Sequence, residues 1–557
     1  MIKEIEKILN LILKDEDVEI KVSVSSRPDL CDFQSNDVFK LAKIKGVSPA
    51  ILGEELVSKI NEYESFSKYF KEVTFVMPGF INITVSDSFI NEQIRLMEND
   101  NFNIPKSSLT YVIDYGGPNV AKPLHVGHLR SAVIGEAIKR IIKFKGNKVI
   151  SDVHLGDYGL QIGEVIYAII KDGVKDSDIT LEYLNKTYPY MSGLCKEDET
   201  IKKACEEITK EMQEGNPEYN RLCDIITKVS VSDIKYIYDL LDVSFDLWES
   251  ERSAYKYIPE LEDLVTSKNL LYKSEGALVI DVKETTDTKE IPPMIFKKSN
   301  GAYLYGTTDM ATIYDRENRY NPDEIVYVTD DRQGMHFTQV FRASLKAGIT
   351  DAKLTHLGYG TVNGVDGKPY KTRKGDAPSL KDMLEETKEI FKTKKEGNDL
   401  LSENDLNIIT NAIIKFADLS NDMASDYIFD IDKFSNVVGK TGPYILYTYL
   451  RFNKILKEEG ISNTLSDNIY NEVDRQLRMS ILNLDYSYNM AYTLYKPHFI
   501  ADYLYNLSTM LNNFYQSNHI KTADINTKND WLYIISLSTR IIEKMLDLLG
   551  ISIPSKM

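Results

Sequence analysis

His125-Val126-Gly127-His128 stands ten residues after an apolar run, Tyr111-Val112-Ile113-Asp114-Tyr115, and opens an amphipathic stretch over residues 129–145 that stops at Gly146. Apolar residues in a short run, then at helical spacing, read as a strand, a loop and a helix N-terminus. Two imidazoles three residues apart at the start of a helix face the same way. Gly127 lets a ligand approach the backbone, where free N–H groups and the helix dipole attract anions. The pattern predicts a phosphate-handling site. Two surface histidines or a metal pair are the alternatives, but a metal needs further ligands and none stands at helical spacing nearby.

Around this point the chain alternates strands with helices from Ser107 to about Leu380, the pattern of a doubly wound parallel sheet. Charged helices, including residues 194–214 and 223–241, interrupt it between about Tyr167 and Leu261 and read as an insertion. Residues 1–105 show helical patterns (1–13, 37–45, 49–61) and then alternating strands around Val73-Thr74-Phe75-Val76 and Ile81-Asn82-Ile83-Thr84-Val85. Asn101-Phe102-Asn103-Ile104-Pro105 reads as a linker. After residue 401 apolar and aromatic residues recur at helical spacing, as in Phe499, Tyr503, Leu507, Leu511 and Phe514, which predicts a helical bundle. The expected fold is multidomain α/β: an N-terminal α+β domain (1–105), a Rossmann-like parallel-sheet domain (106–400) with an α-helical insertion at about 167–261, and a C-terminal helical bundle (401–557).

With 557 residues, 43% hydrophobic and 27% charged, the chain can bury sizeable cores and has the composition of a soluble protein. No run approaches the ~20 apolar residues that span a bilayer, and residues 1–14 mix Lys and Glu with Leu and Ile rather than forming a signal peptide. The expectation is a cytoplasmic protein with no membrane partner. Cys31, Cys195, Cys205 and Cys223 form no C-x-x-C pair, so neither a disulfide framework nor a structural metal site is expected. A net charge of −17 is awkward for binding nucleic acid, which draws on Lys and Arg. Residues 1–105 hold 12 Lys/Arg against 18 Asp/Glu, and residues 401–557 hold 14 against 18. Any RNA binding would use local basic patches and base-specific contacts.

The flanks of the histidines narrow the reading. Gly117-Pro118-Asn119-Val120-Ala121-Lys122-Pro123-Leu124 precedes them, Leu129-Arg130-Ser131 follows, and His154-Leu155-Gly156-Asp157-Tyr158-Gly159 comes after the next apolar run. This run resembles the class I aminoacyl-tRNA synthetases, and specifically the arginyl-tRNA synthetases, whose ATP-binding "HIGH" element carries these neighbours. The resemblance implies that ATP, with Mg²⁺ accompanying it, activates L-arginine, which is then transferred to the terminal ribose of tRNA(Arg). Such chemistry needs alignment and charge stabilisation rather than a covalent nucleophile. His125, His128, Gly127 and Lys122 are the implied phosphate contacts. The family's second mobile loop, usually K-M-S-K-S, corresponds to Gly367-Lys368-Pro369-Tyr370-Lys371-Thr372-Arg373-Lys374-Gly375. Lys368 and Lys371 keep the lysine spacing while Pro369 and Tyr370 replace the middle, so Lys122 is expected to share the role. Read without the resemblance, the loop is a solvated basic loop.

By the same resemblance Asp114 and Asp309 are assigned to the arginine guanidinium, for which paired planar acceptors are suited. Asn119, Tyr305 and Gln333 are assigned to the rest of the substrate. In relatives Asp114 is often Glu and Gly117 often Ser. Thr441-Gly442-Pro443-Tyr444-Ile445-Leu446-Tyr447 with Arg451, and the ending Leu548 to Met557, also resemble family segments, which makes the helical region the anticodon-arm binder and gives Met557 to tRNA. Pro78-Gly79-Phe80-Ile81-Asn82 is similar to a segment that contacts the outer corner of tRNA. Phe80 could stack on an unpaired base and Asn82 read an adenine edge, although strand alternation equally makes Phe80 a core residue. The sequence thus reads as an arginine–tRNA ligase, a monomer with no DNA partner. The alternative is a non-catalytic paralogue that binds tRNA or arginine as a regulator.

Overall fold

In the computed structural model the apolar run before the histidines is strand β1 (Thr110–Tyr115). It pairs in a sheet of four parallel strands with β2 (Lys148–Asp152), β3 (Glu324–Asp330) and β4 (Lys353–Tyr359), in the order β4-β3-β1-β2. The structure describes residues 1–557 except 17, 28, 371–378 and 395–400. Nearly every residue of β1 and β3 is buried, as expected for parallel strands covered on their faces. The chain leaves β1, runs through helix Val126–Phe144 to β2, and later builds β3 and β4 on the other side of β1. The strand order therefore reverses at β1, and ligands of open α/β sheets bind in the crevice outside the strand ends at such a point.

Small side chains seat the first helix there. Gly135 lies so close to the Tyr115 ring that a Cβ would come within 2.2 Å of it. Ser131 Oγ accepts from the Gly116 N–H at 2.8 Å and donates to the Val328 carbonyl at 2.7 Å, tying the helix to the ends of β1 and β3. Buried Arg130 pairs with Asp418 at 3.1 Å, which fixes the helix to helix Glu403–Leu419.

Two compact units divide the described residues. One holds Lys106–Tyr444, Leu494–Ala501 and Leu546–Met557, and the other Met1–Pro105, Ile445–Thr493 and Asp502–Met545. In the first, helices Leu181–Glu197, Glu199–Gln213 and Pro217–Leu240 form the expected insertion. An antiparallel sheet of Leu271–Ser274, Ala277–Ile280 and Met294–Lys297 was not anticipated from the strand–helix alternation. Its cause is local: Glu275 and Gly276 both have positive φ (47° and 84°), which suits a two-residue hairpin turn. The C-terminal tail is held by fully buried Lys415, whose Nζ donates to the Gly550 carbonyl at 2.6 Å, and by Asp405, which accepts from the Ser555 N–H at 2.6 Å.

The second unit carries helices Ile2–Ile12, Val38–Lys45 and Pro49–Asn61 on an antiparallel sheet ordered Ser23–Val24, Phe33–Ser35, Phe80–Val85, Phe70–Val76. Helix Glu472–Leu482 is locked to it: Arg475 donates to both Asp32 oxygens at 2.7 Å, and buried Arg478 joins Asp474 and Asn91. Tyr503, Leu507, Leu511 and Phe514 are buried along helix His498–Ser517. Among the described residues no helix is long and apolar enough to cross a membrane.

Candidate active site

His125 is the N-cap of helix Val126–Phe144, and its Nδ1 accepts from the Gly127 N–H at 3.0 Å. His128 Nδ1 accepts from the His125 N–H at 3.1 Å, and the two rings lie 3.9 Å apart. Each Nδ1 is an acceptor, so each proton sits on Nε2 and both imidazoles are neutral donors. Burial, then the proximity of His125 and Lys122, holds His128 down at about 3, and burial together with Lys122 lowers His125. The histidines therefore offer hydrogen bonds, and Lys122 beside them offers the charge. Exposed Gly127 leaves the turn open to a ligand.

His125 and Gly127 open on a cleft of about 460 Å³ at the switch point, lined also by Arg130, Asp330, Tyr359 and Tyr370 among others. The second basic loop meets it: Tyr370 donates its N–H to the Val362 carbonyl, and Ser379 forms a β-bridge with His125. Lys368 is exposed in the turn between. Lys371 and Lys374 lie outside the described residues. The flanks of the loop are thus brought to the histidine pair.

A second cleft of about 560 Å³ is lined by Tyr158, Gly159, Glu251, Tyr255, Tyr305 and Thr308, among others. That size admits an amino acid. Tyr305 and Asp309 stand one turn apart at the start of helix Tyr305–Tyr320, and Asp309 Oδ2 meets His336 Nε2 at 2.5 Å. Gln333 is exposed on the turn before helix Gly334–Ala347, which carries His336. Asn119 is exposed and bridged to Gly156, where a Cβ would come within 2.1 Å of the Asn119 amide oxygen. Gly117 is equally constrained, since a Cβ would meet the His154 carbonyl at 2.3 Å, so this backbone has no room for a side chain there. Sequence reading missed Glu251. Burial, reinforced by Asp309 and Asp157 and opposed by His154, pushes its carboxyl up to about 8. Its only sequence signal was the acidic run Trp248-Glu249-Ser250-Glu251.

Asp114 faces elsewhere. Its Oδ2 accepts from Arg316 Nη2 at 2.6 Å, and the same nitrogen reaches Asp152 at 2.7 Å. His154 Nδ1 lies 3.6 Å from Asp152, an ion-pair distance; burial opposes its charge, but Asp152 and Asp114 push it up to about 9. Ligand atoms of Asp114, Asp152 and His154 come within 4.8 Å of one another, yet with the Arg316 guanidinium between the carboxylates and a cationic imidazole beside them the group does not fit a metal ion. Among the described residues that line the histidine cleft, the one carboxylate, Asp330, is held by Arg332 through Nε at 2.8 Å and Nη2 at 2.6 Å. Among the described residues the chain builds no Mg²⁺ cage there.

In the other unit Phe80 is half-buried and packs edge-on against exposed Phe39, with centroids 6.2 Å apart. Asn82 is buried, and its amide oxygen accepts from Gln34 at 2.7 Å. Met557, in the unit with the parallel sheet, is partly exposed.

Residues 93–431 match the family described as tRNA synthetases class I (R), catalytic domain; residues 445–557 match the DALR anticodon binding domain, and residues 1–85 the arginyl tRNA synthetase N terminal domain. The arginine–tRNA ligase of Agathobacter rectalis is 41% identical over 96% of each chain, and that of Alkaliphilus oremlandii 39% over 100% of each. The fold is shared with the crystal structure of arginyl-tRNA synthetase from Plasmodium falciparum (TM-score 0.81, 24% identity, 100% of this chain and 99% of that one) and with that of Thermus thermophilus (TM-score 0.81, 21% identity, 100% of both). A match of this kind along almost the whole length leaves one family: the chain belongs to the arginyl-tRNA synthetases.

Proposed function

We propose that this chain activates L-arginine with ATP and transfers it to the 3′-terminal ribose of tRNA(Arg). A carboxylate oxygen of arginine attacks the α-phosphorus and the bond to pyrophosphate breaks; the terminal ribose hydroxyl then attacks the adenylate carbonyl and AMP leaves. The observation that carries this reading is the pair of neutral imidazole donors at a helix N-terminus, with His125 on the wall of the cleft at the switch point of the parallel sheet. Preorganised donors of this sort stabilise phosphate charge without reorganising during the reaction.

In this reading His125, His128 and Gly127 contact the phosphates, and Lys122, Lys368 and Lys371 neutralise them. Mg²⁺ accompanying the nucleotide would add to the neutralisation of phosphate charge. Asp309 takes the guanidinium with Glu251 beside it, Asn119, Tyr305 and Gln333 orient the remainder, and Asp114 acts from behind through Arg316. Phe80 provides the base-stacking surface, Asn82 braces the strand beneath it, and Met557 also contacts tRNA. Residues 1–105 serve as the corner-binding domain, 106–400 as the catalytic domain and 401–557 as the anticodon-binding domain of a cytoplasmic monomer. An aminoacylation assay with ATP and total tRNA tests the proposal: charging with arginine and not lysine is expected, and tRNA binding without charging would leave a regulatory paralogue instead.

A further inference from the structure

Ala121 has a φ of 64° although it is buried and is not a glycine. The left-handed region brings a Cβ too close to the following carbonyl, and such a residue persists only where its surroundings over-determine it. Here they do. The Val120 N–H donates to the Gly156 carbonyl at 3.0 Å, the Gly156 N–H donates back to the Pro118 carbonyl at 3.1 Å, and the Ala121 N–H donates to the Ser230 hydroxyl at 2.9 Å. Ser230, 4% exposed, belongs to helix Pro217–Leu240 of the insertion. Cys223 and Tyr238 lie two turns to either side of it on the same face and are buried too. The Cys223 thiol donates to the Asp157 carbonyl at 3.4 Å and the Tyr238 hydroxyl to the Gly116 carbonyl. One stripe of an inserted helix therefore touches the backbone of the loop that leads to the histidines and of the loop that follows β2.

We infer that Ser230 is a positioning residue for ATP: by accepting the Ala121 N–H it holds the left-handed turn that aims Lys122 at the phosphates. The inference rests on the proposal that Lys122 neutralises those phosphates. Lys122 follows Ala121 directly and precedes Pro123, and a residue before proline is pushed to extended backbone. Its direction is thus set by the proline on one side and by the turn at Ala121 on the other. Without the Ser230 hydroxyl the buried Ala121 N–H loses its acceptor, and the residue relieves its strain by rotating toward negative φ. That rotation carries Lys122 away from the histidine pair, which it lies close enough to depress. A displacement of about 1 Å costs on the order of 100-fold in rate. Glycine at 121 would need no such brace, because it takes positive φ about as readily as negative. Ser230 stands 109 residues from Ala121 in the chain, and only the fold joins them.

The test uses the full chain in pyrophosphate exchange with arginine and tRNA present, alongside the thermal midpoint. Ser230→Ala, Lys122→Ala, the two together, and Ser230→Ala with Ala121→Gly are compared with the unaltered chain. For Ser230→Ala we expect kcat/KM for ATP to fall by about 10- to 100-fold and KM for arginine to stay within about twofold. In the Lys122→Ala background the same substitution should cost about twofold or less, because a residue that acts through Lys122 has nothing left to aim. Ala121→Gly should bring Ser230→Ala back to within about fivefold of the unaltered chain. An unchanged kcat/KM for ATP in Ser230→Ala, or an equal loss with and without Lys122, overturns the inference. So does a parallel loss for ATP and arginine with a fall in midpoint and no rescue by glycine, which marks a merely structural residue. Should Ser230→Ala fail to fold, Ser230→Cys, whose thiol is a weak acceptor, decides by the same criteria. A Lys122→Ala chain with unchanged kcat/KM for ATP removes the phosphate role of Lys122 and the inference with it, a result distinct from a loss at Lys122 that Ser230→Ala does not reproduce.

Discussion

His128 Nδ1 accepts the backbone N–H of His125 at 3.1 Å, so the second histidine of the motif caps the residue that carries the first. Each ring uses one nitrogen on its own turn and is left with one proton to donate. Replacing either His125 or His128 with Ala should lower the arginylation rate by about 100-fold or more, the usual effect of losing one preorganised donor, and should leave tRNA affinity nearly unchanged. The imidazoles act neutral: with His128 held at about 3, no histidine ionisation from this residue should appear in the rate between about pH 5 and 8. A steady-state pH profile checks this, and a rate that rises on acidification would show that a cationic imidazole is the active form.

If Glu251 lies beside the bound guanidinium as proposed, the arginine step has its own pH dependence. The Glu251 carboxyl is raised to about 8, so near neutral pH it holds a proton until a guanidinium arrives, and binding the cation then expels that proton. The sign follows from linkage: ligand that prefers the ionised form binds more tightly as pH rises, by up to about tenfold per pH unit below the pKa, and levels off above it. KM for arginine should therefore fall between about pH 6 and 9, and Glu251→Gln should flatten the curve. For folding alone the effect runs the other way, because a raised carboxyl stabilises the fold at low pH and loses that contribution as pH rises through about 8. Identical pH profiles of KM in the two proteins would remove Glu251 from the pocket.

The parallel sheet and the histidine turn were legible because their signals are local. Val112 and Ile113 lie in one buried run, and His125, Gly127 and His128 sit within a single helical turn. The helices of residues 1–61 were legible by period for the same reason. Glu251 and the Arg316 bridge were not, since each depends on which distant strand comes alongside. Asp114 shows the limit most clearly: its place at the end of β1 could be read from sequence, but not that a guanidinium 202 residues later would hold it. Asn82 is similar, because strand alternation does not reveal that Gln34 from a neighbouring strand takes its amide oxygen.

The departure of the second basic loop from its usual form leads to a prediction about shared charge. Pro369 and Tyr370 stand between Lys368 and Lys371, while Lys122 lies close enough to depress both histidines. If Lys122 and Lys371 neutralise the same phosphates, the second loss should cost less or more than it does alone, as groups acting on one charge are not additive. Single and double alanine variants, compared by kcat/KM for ATP, should depart from additivity by about 0.5 kcal/mol or more. Losses that simply add would assign the two lysines to separate tasks.

Specificity for arginine is the sharpest test of the role proposed for Asp309. Its Oδ2 meets His336 at 2.5 Å, and it stands one turn from Tyr305 on the wall of the second cleft. Asp309→Asn keeps the shape and can still accept from His336, but it removes the charge proposed to face the guanidinium. Removing one partner of a desolvated charge pair costs about 2 to 5 kcal/mol, equivalent to about 30- to several-thousand-fold in kcat/KM. The loss should fall on arginine and barely on citrulline, which has the same length without the positive charge. Measuring kcat/KM for both amino acids with both proteins separates the outcomes. An equal fall for the two substrates would mean that Asp309 holds His336 and the fold in place rather than reading the guanidinium.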